Sequence, residues 1–261
     1  MAISLASLNR LDSPKPPRII IYGPHGIGKN TFIAGAPAPV LINVEDGHPS
    51  ASPIDSFPRA RSFGDVMGAI EALFNEPHDF QTVGIDSLDW IEPLVWAETC
   101  RRQKWDSIES PGYGKGYIEA SNVWREYLDG INALRDERGM VVIQTAHAEI
   151  KRFESPETEP YDRYQIKLQA RAAALVEEHA DIVLFANYKV SVTKTDAGFN
   201  KKVARGIGAG TRVMYTEERP AFRAKNRHNL PPELPLSFAA LTDAMAAASA
   251  PQRGAAQAEA A

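Results

Sequence analysis

Nine residues do most to limit what this chain can fold into. They are Gly23-Pro24-His25-Gly26-Ile27-Gly28-Lys29-Asn30-Thr31, set between the apolar run Ile19–Tyr22 and the helix-compatible stretch Lys29–Ala34. An apolar strand, a glycine-rich turn and a helix in that order open an α/β unit, not a helical bundle or a β-sandwich. Gly23, Gly26 and Gly28 allow a tight turn in which successive N–H groups face an anion. Lys29 stands where an ammonium reaches the outer phosphates of a nucleotide, and the following helix adds the positive end of its dipole. The pattern is G-x-x-x-x-G-K-[ST] at every position but the last, where Asn30 replaces the hydroxyl that normally ligates Mg²⁺. Thr31 follows, but one step along a helix turns a side chain by about 100°, so it does not simply substitute. An Asn carbonyl can coordinate Mg²⁺, which takes oxygen ligands in octahedral geometry, but from a longer and bulkier side chain. The expectation is weakened nucleotide binding or turnover on an intact fold.

Downstream, apolar runs and amphipathic stretches alternate. Pro39–Val44, Thr82–Ile85, Met140–Ala146 and Asp181–Ala186 read as strands, and Ser62–Asn75 and Tyr117–Arg138 as helices. Ser62 and Asp65 form a capping pair at the start of the first helix. The second helix carries Trp124, Tyr127, Leu128, Ile131 and Leu134 at helical spacing, which is a core face. From Tyr188 onward the segments shorten and glycine turns separate them: Lys189–Thr193, Arg212–Thr216 and Ala221–Lys225. The prediction is an α/β fold with a mainly parallel sheet flanked by helices and antiparallel strands added at the C-terminal side. Residues 1–17 read as an extended lead-in, residues 18–238 as one domain, and residues 239–261 as an Ala-rich, partly helical tail.

Four further groups carry candidate chemistry. Asp86 ends a buried strand downstream of the glycine loop, where a carboxylate would bind Mg²⁺ through its waters. Glu45, in Asn43-Val44-Glu45-Asp46-Gly47, follows the strand after the first helix and could polarise an attacking water; the plainer reading is a polar turn. His147 closes the strand containing Gln144 and could sense a terminal phosphate, or be an ordinary loop residue. Lys225 and Arg227 share a strand face and could act as charge-stabilising fingers on a neighbouring subunit's nucleotide; alone, such a pair is more often a solvated edge.

The 261 residues carry a net charge of −4, 44% apolar residues and a single cysteine, Cys100. That balance excludes indiscriminate nucleic-acid binding through overall field but permits a local basic surface. A lone cysteine and no membrane-length apolar run predict a soluble protein of a reducing cytoplasm.

Together these residues resemble the RecA-like ATPases, most closely the phage-type AAA family that includes Sak-type single-strand annealing and recombination proteins. The resemblance runs from about Arg18 to Pro235. It makes residues 18–238 a RecA-like ATPase domain, Ile85-Asp86-Ser87-Leu88 a Walker B strand, Glu45 the catalytic glutamate and Lys225/Arg227 a finger pair. It implies ATP and Mg²⁺ as cofactors, with Lys29, Glu45, Asp86, His147, Lys225 and Arg227 as the catalytic set and Asn30 and Asp86 at the metal. It further implies a homo-oligomeric ring or filament acting in phage DNA recombination, annealing, replication or repair, in the cytoplasm of a phage-infected or bacterial cell. Single-stranded DNA would run along loops 151–164 and 194–205; the first combines cations with aromatics, though Glu154, Glu157 and Glu159 oppose it. The competing classes are a nucleotide-dependent partner or assembly protein, a small-molecule kinase, and a degenerate ATPase that binds nucleotide without turning it over. A salt-dependent response to oligonucleotide separates the first of these from the DNA-acting reading.

Overall fold

Alternation along the first strand decides the layering. In β1 (Arg18–Gly23) every residue from Ile19 onward is buried; Ile20 and Tyr22 join one apolar cluster, and Ile19 and Ile21 the other. Successive side chains on a strand point to opposite faces, so a continuous apolar run requires cover on both sides. A computed structural model describes residues 15–46, 53–196 and 202–249. There β1 lies between β5 (Val141–Phe153) and β7 (Ile182–Asp196), parallel to both.

Next to β5 come β4 (Thr82–Asp86), β2 (Pro39–Asn43) and the two-residue β3 (Asp55–Ser56), all parallel. On the far side β8 (Lys202–Tyr215) pairs antiparallel with β7, and β10 (Glu233–Pro235) with β8. β6 (Tyr161–Ile166) pairs with the distal half of β5, and β9 (Lys225–Asn226) with the start of β7. The α/β architecture is as predicted: a mainly parallel sheet with antiparallel additions on the C-terminal side.

Helices α2 (Phe63–Asn75), α3 (Leu88–Gln103), α4 (Lys115–Asp136) and α5 (Ala170–His179) supply the first cluster. Helices α1 (Lys29–Ala34) and α6 (Phe238–Ser249) supply the second. The Ser62–Asp65 capping box forms as predicted, with Ser62 Oγ accepting from Asp65 N at 3.1 Å and Asp65 Oδ2 accepting from Ser62 N at 3.0 Å. The Ala-rich segment is helical to Ser249, and Phe238 and Leu241 are buried against the core.

Three local expectations change. The segment Glu154–Arg163, read as a polar loop, joins the arms of a hairpin whose pairs run from Ala148↔Ile166 to Phe153↔Tyr161. Its Glu- and Pro-rich centre hid the two flanking strands. Of Ala221–Lys225 only Lys225 lies in a strand, β9; before it Phe222 packs inward against Phe185 and Tyr215, with ring centroids 4.8 and 4.7 Å away. Helix α5 falls in a stretch to which the sequence reading assigned no element.

Two buried ionic features anchor the framework. At the start of β1, Arg18 donates from its backbone N and Nε to Asp181 Oδ2 (3.0 and 3.1 Å) and from Nη2 to Oδ1 (2.9 Å). Arg135 and Arg227 each approach the same carboxylate at 3.5 Å. Farther along, Glu92 of α3 accepts from Gln169 N at 2.9 and 3.2 Å. Burial pushes its carboxyl up to about 7, against the pull of that N–H and of Lys151. A carboxyl raised in the folded state binds more protons there than in the unfolded chain, so stability falls as pH rises from about 4.5 to about 7. Glu92→Gln keeps the acceptor without the charge. In urea unfolding it is expected to exceed the parent by roughly 1–2 kcal/mol at pH 8, with the gain vanishing below pH ~4.5; equal midpoints at pH 8 would refute this.

Candidate functional site

The carboxyl ends of β1, β2 and β4 meet beside His147 of β5, at the edge where ligands of open α/β sheets bind. Gly23 of β1 pairs with His147 of β5, and Asn43 of β2 with Asp86 of β4. Asp86 O then accepts from Val44 N and Glu45 N at 2.8 and 3.1 Å, fixing the backbone of Glu45 beside the strand end. The result is a cavity of about 380 Å³ lined by His25, Gly26, Gly28, Lys29, Asn30, Thr31, Glu45, Asp86, His147 and Arg212. Gly23 lies behind it, pressed so close to β7 that a Cβ would fall onto the Ala186 carbonyl. Gly26 and Gly28 hold φ of 71° and 113°, in the region that favours glycine. Ile27 is fully buried in the second cluster and pins the loop to the core.

Lys29 is only 7% exposed. Its Nζ donates to the carbonyls of Gly23 and Pro24 at 3.3 and 3.2 Å. Burial lowers its pKa, opposed by the fields of Asp86, Asp89 and Glu45. Among the described residues the carbonyls of Gly23 and Pro24 are the hydrogen-bond partners of its ammonium. A buried ammonium held only by neutral carbonyls is costly unless an anion joins it.

Asp86 is buried, and both its oxygens are engaged. Oδ1 accepts from Thr145 Oγ1 at 2.6 Å and Oδ2 from Asn30 Nδ2 at 2.7 Å. The amide of Asn30 thus faces the carboxylate, which leaves its carbonyl as the side chain's oxygen donor for a cation. Thr31 also lines the cavity but is exposed. Asp86 and Asn30 therefore supply oxygen ligands of the kind Mg²⁺ takes, beside the lysine and glycine loop that suit a phosphate chain.

His147 is fixed from behind. Its Nδ1 lies 2.9 Å from Asp89 Oδ2, and its backbone N donates to Asp89 Oδ1 at 3.0 Å. Ser87 Oγ donates to the same Oδ1 at 2.9 Å. Burial alone would raise Asp89, but the hydrogen bonds from His147 and Ser87 hold it below the usual carboxylate range. The free Nε2 then points toward Glu45, 3.9 Å from Oε2. The ring of His25 stacks on His147, centroids 3.8 Å apart. The charge of His147, then burial and Lys29, lower the pKa of His25.

Lys225 and Arg227 do not reach this cavity within the chain. They sit beside the N-terminal end of β7, at the opposite end of the sheet. Lys225 Nζ donates to the Glu177 and Glu178 carbonyls at the end of α5, both at 2.8 Å, and Arg227 faces Asp181. In the β5–β6 hairpin each cation faces a carboxylate: Lys151 Glu149, Arg152 Glu154, and Arg163 Glu218. Arg163 also lies over the Phe153 ring at 3.7 Å. In the second proposed DNA loop, 194–205, residues 197–201 lie outside the described residues.

Sequence reasoning missed Arg212, Thr145 and Asp89. Arg212 reaches the cavity because β8 folds back on β7, pairing Arg212 with Tyr188; nothing local marks it. Thr145 and Asp89 did leave a signal, as polar residues on a buried strand end and in the first turn of a helix just past Asp86.

A match to the AAA domain family spans residues 15–228. No curated protein matches the chain. Among solved structures, one described as the crystal structure of the RadB recombinase is 12% identical, with a TM-score of 0.46 over 87% of this chain and 90% of that one. No helix among the described residues is long and apolar enough to cross a membrane. With the family match covering most of its length, the chain belongs to the AAA domain family of nucleotide-binding P-loop ATPases.

Proposed function

We propose that this pocket binds ATP with Mg²⁺ and hydrolyses it, and that the chain works as an oligomeric ATPase in phage-type DNA recombination, annealing, replication or repair. The observation that carries the reading is Lys29, a buried ammonium with only carbonyl partners at the floor of a glycine loop. A nucleotide's outer phosphates provide the missing counter-charge. Asp86 and the Asn30 carbonyl would hold Mg²⁺, which when bound neutralises phosphate charge. Glu45 would accept the proton of the attacking water. His147, held by Asp89, and Arg212 would face the outer phosphate. Arg227, 53% exposed at its side chain, is the better finger candidate, since Lys225 already caps α5.

For single-stranded DNA the segment 194–205 is favoured over 151–164. It carries Lys194, Lys201, Lys202 and Arg205 against one acid, Asp196, whereas the cations of the hairpin are matched by carboxylates. A second reading, nucleotide binding with little turnover, is favoured by the Asn30–Asp86 hydrogen bond, which occupies the carboxylate needed for the metal. Mg²⁺-dependent ATP hydrolysis by the parent and Asn30→Ser, each with and without single-stranded DNA, separates them. The proposal expects DNA-stimulated turnover that rises about tenfold in the Ser variant, a barrier lower by ~1.4 kcal/mol. ATP binding without hydrolysis in the parent favours the second reading, and absence of binding refutes both.

A further inference from the structure

His25, Glu45 and His147 each offer one ligand atom, and these atoms all lie within 4.8 Å of one another. Phosphate chemistry gives Glu45 and His147 tasks of their own, but none to the His25 ring that stacks on His147. We propose that these three side chains form a binding site for a zinc-class divalent ion, distinct from the Mg²⁺ position between Asn30 and Asp86. Imidazole and carboxylate are ligands zinc accepts together, and a set of three protein donors leaves a fourth, open position for solvent.

The support is partly built. His147 is buried, with Nδ1 against Asp89 and Nε2 facing Glu45. A metal-ligating histidine characteristically gives its other ring nitrogen to a carboxylate, which fixes tautomer and ring direction. Ligands about 2.0–2.2 Å from zinc in a tetrahedron stand roughly 3.3–3.6 Å apart. The His147–Glu45 separation of 3.9 Å is near that value. The remaining closure falls to His25, which is exposed and can swing from its stacked position. Two neutral imidazoles and one carboxylate leave the bound ion a net positive charge, beside the anion site at Lys29. Occupancy would withdraw Glu45 from its water and so suppress hydrolysis. That consequence rests on the role proposed for Glu45, but the binding site does not.

The test uses full-length, untagged, nucleotide-free protein, with zinc affinity measured by competition against a chromophoric chelator. One zinc per chain is expected, with affinity falling at least tenfold in His25→Ala and in Asp89→Asn, the latter within the range for loss of a supporting carboxylate. The cobalt-substituted protein should show the intense visible absorption of a four-coordinate site, lost in His25→Ala. His25 is exposed, so its variant reads the site without a folding confound. Zinc affinity unchanged in His25→Ala, or no binding by the parent at micromolar free zinc, overturns the proposal. ATP turnover is then followed at buffered free zinc. If zinc binds as described and turnover persists, the site stands and the role of Glu45 falls.

Discussion

Glu45→Gln is expected to lower Mg²⁺-dependent ATP turnover by about 10²–10⁴-fold, the usual worth of a positioned general base, with nucleotide affinity little changed. The side chain projects from the end of β2 into the cavity, and its backbone N is tied to Asp86 O. Glutamine therefore keeps size and placement and loses only the ability to take a proton. Affinity should survive because in the proposed site the phosphate contacts would fall to Lys29 and the loop N–H groups on the other wall. Single-turnover hydrolysis set against binding of a fluorescent nucleotide separates the two effects. Turnover equal to the parent's would remove Glu45 from the mechanism, and His147, its nearest basic neighbour, would become the candidate. Loss of binding together with turnover would mean that the carboxylate shapes the pocket instead.

Asp181→Ala is expected to cost about 3–5 kcal/mol, the range for removing one partner of a buried ion pair. That is a large part of the 5–15 kcal/mol that holds a typical domain folded. The carboxylate is 11% exposed at its side chain and takes three donations from Arg18, while Arg135 and Arg227 stand at 3.5 Å. Without it, the guanidinium groups of Arg18, Arg135 and Arg227 face one another, and among the described residues only Arg135 keeps an ion pair, with Asp136 at 3.2 Å. Burial would raise the pKa of Asp181, but the Arg18 hydrogen bonds outweigh it and hold the group at about 2. A depressed carboxylate contributes fully above its unfolded value near 4 and loses that contribution as pH falls toward 2. Urea titrations should therefore show the gap between parent and variant at its widest near neutrality and narrowing below pH 4. Asp181→Asn, which keeps an acceptor for Arg18, should fall between. A gap that does not change with pH would mean that the loss is one of packing.

The strands were legible because their apolar runs are unbroken. Ile19–Tyr22 and Asp181–Ala186 need cover on both faces, and that requirement alone dictates layers of helices. The ends of the long strands were not legible. Past His147, β5 leaves the core and continues through Glu149, Lys151 and Arg152, whose polarity reads as loop although the backbone stays paired with β6. The pocket divided in the same way. Lys29, Asn30, Glu45, Asp86 and His147 each follow an apolar run and were named from that position. Arg212 arrives through a strand pairing between distant residues, and no local pattern encodes it. Lys225 and Arg227 were singled out for their charge, yet the fold gives Lys225 a capping task at α5 that spacing could not reveal.

The two strands that flank the glycine loop do not stop at the pocket. β5 passes His147 and becomes one arm of a hairpin, while β7 passes Ala186, against which Gly23 is pressed, and becomes the arm that pairs with β8. Among the described residues the pairing runs unbroken from the pocket wall into either arm, apart from the register shift between Tyr188 and Val190. Each strand therefore meets the pocket part-way along its length, at His147 in β5 and Ala186 in β7, and carries an arm beyond it. Among the described residues the register shift after Tyr188 is the break in the pairing of β7 with β8, so a hinge between the pocket wall and that arm would lie there.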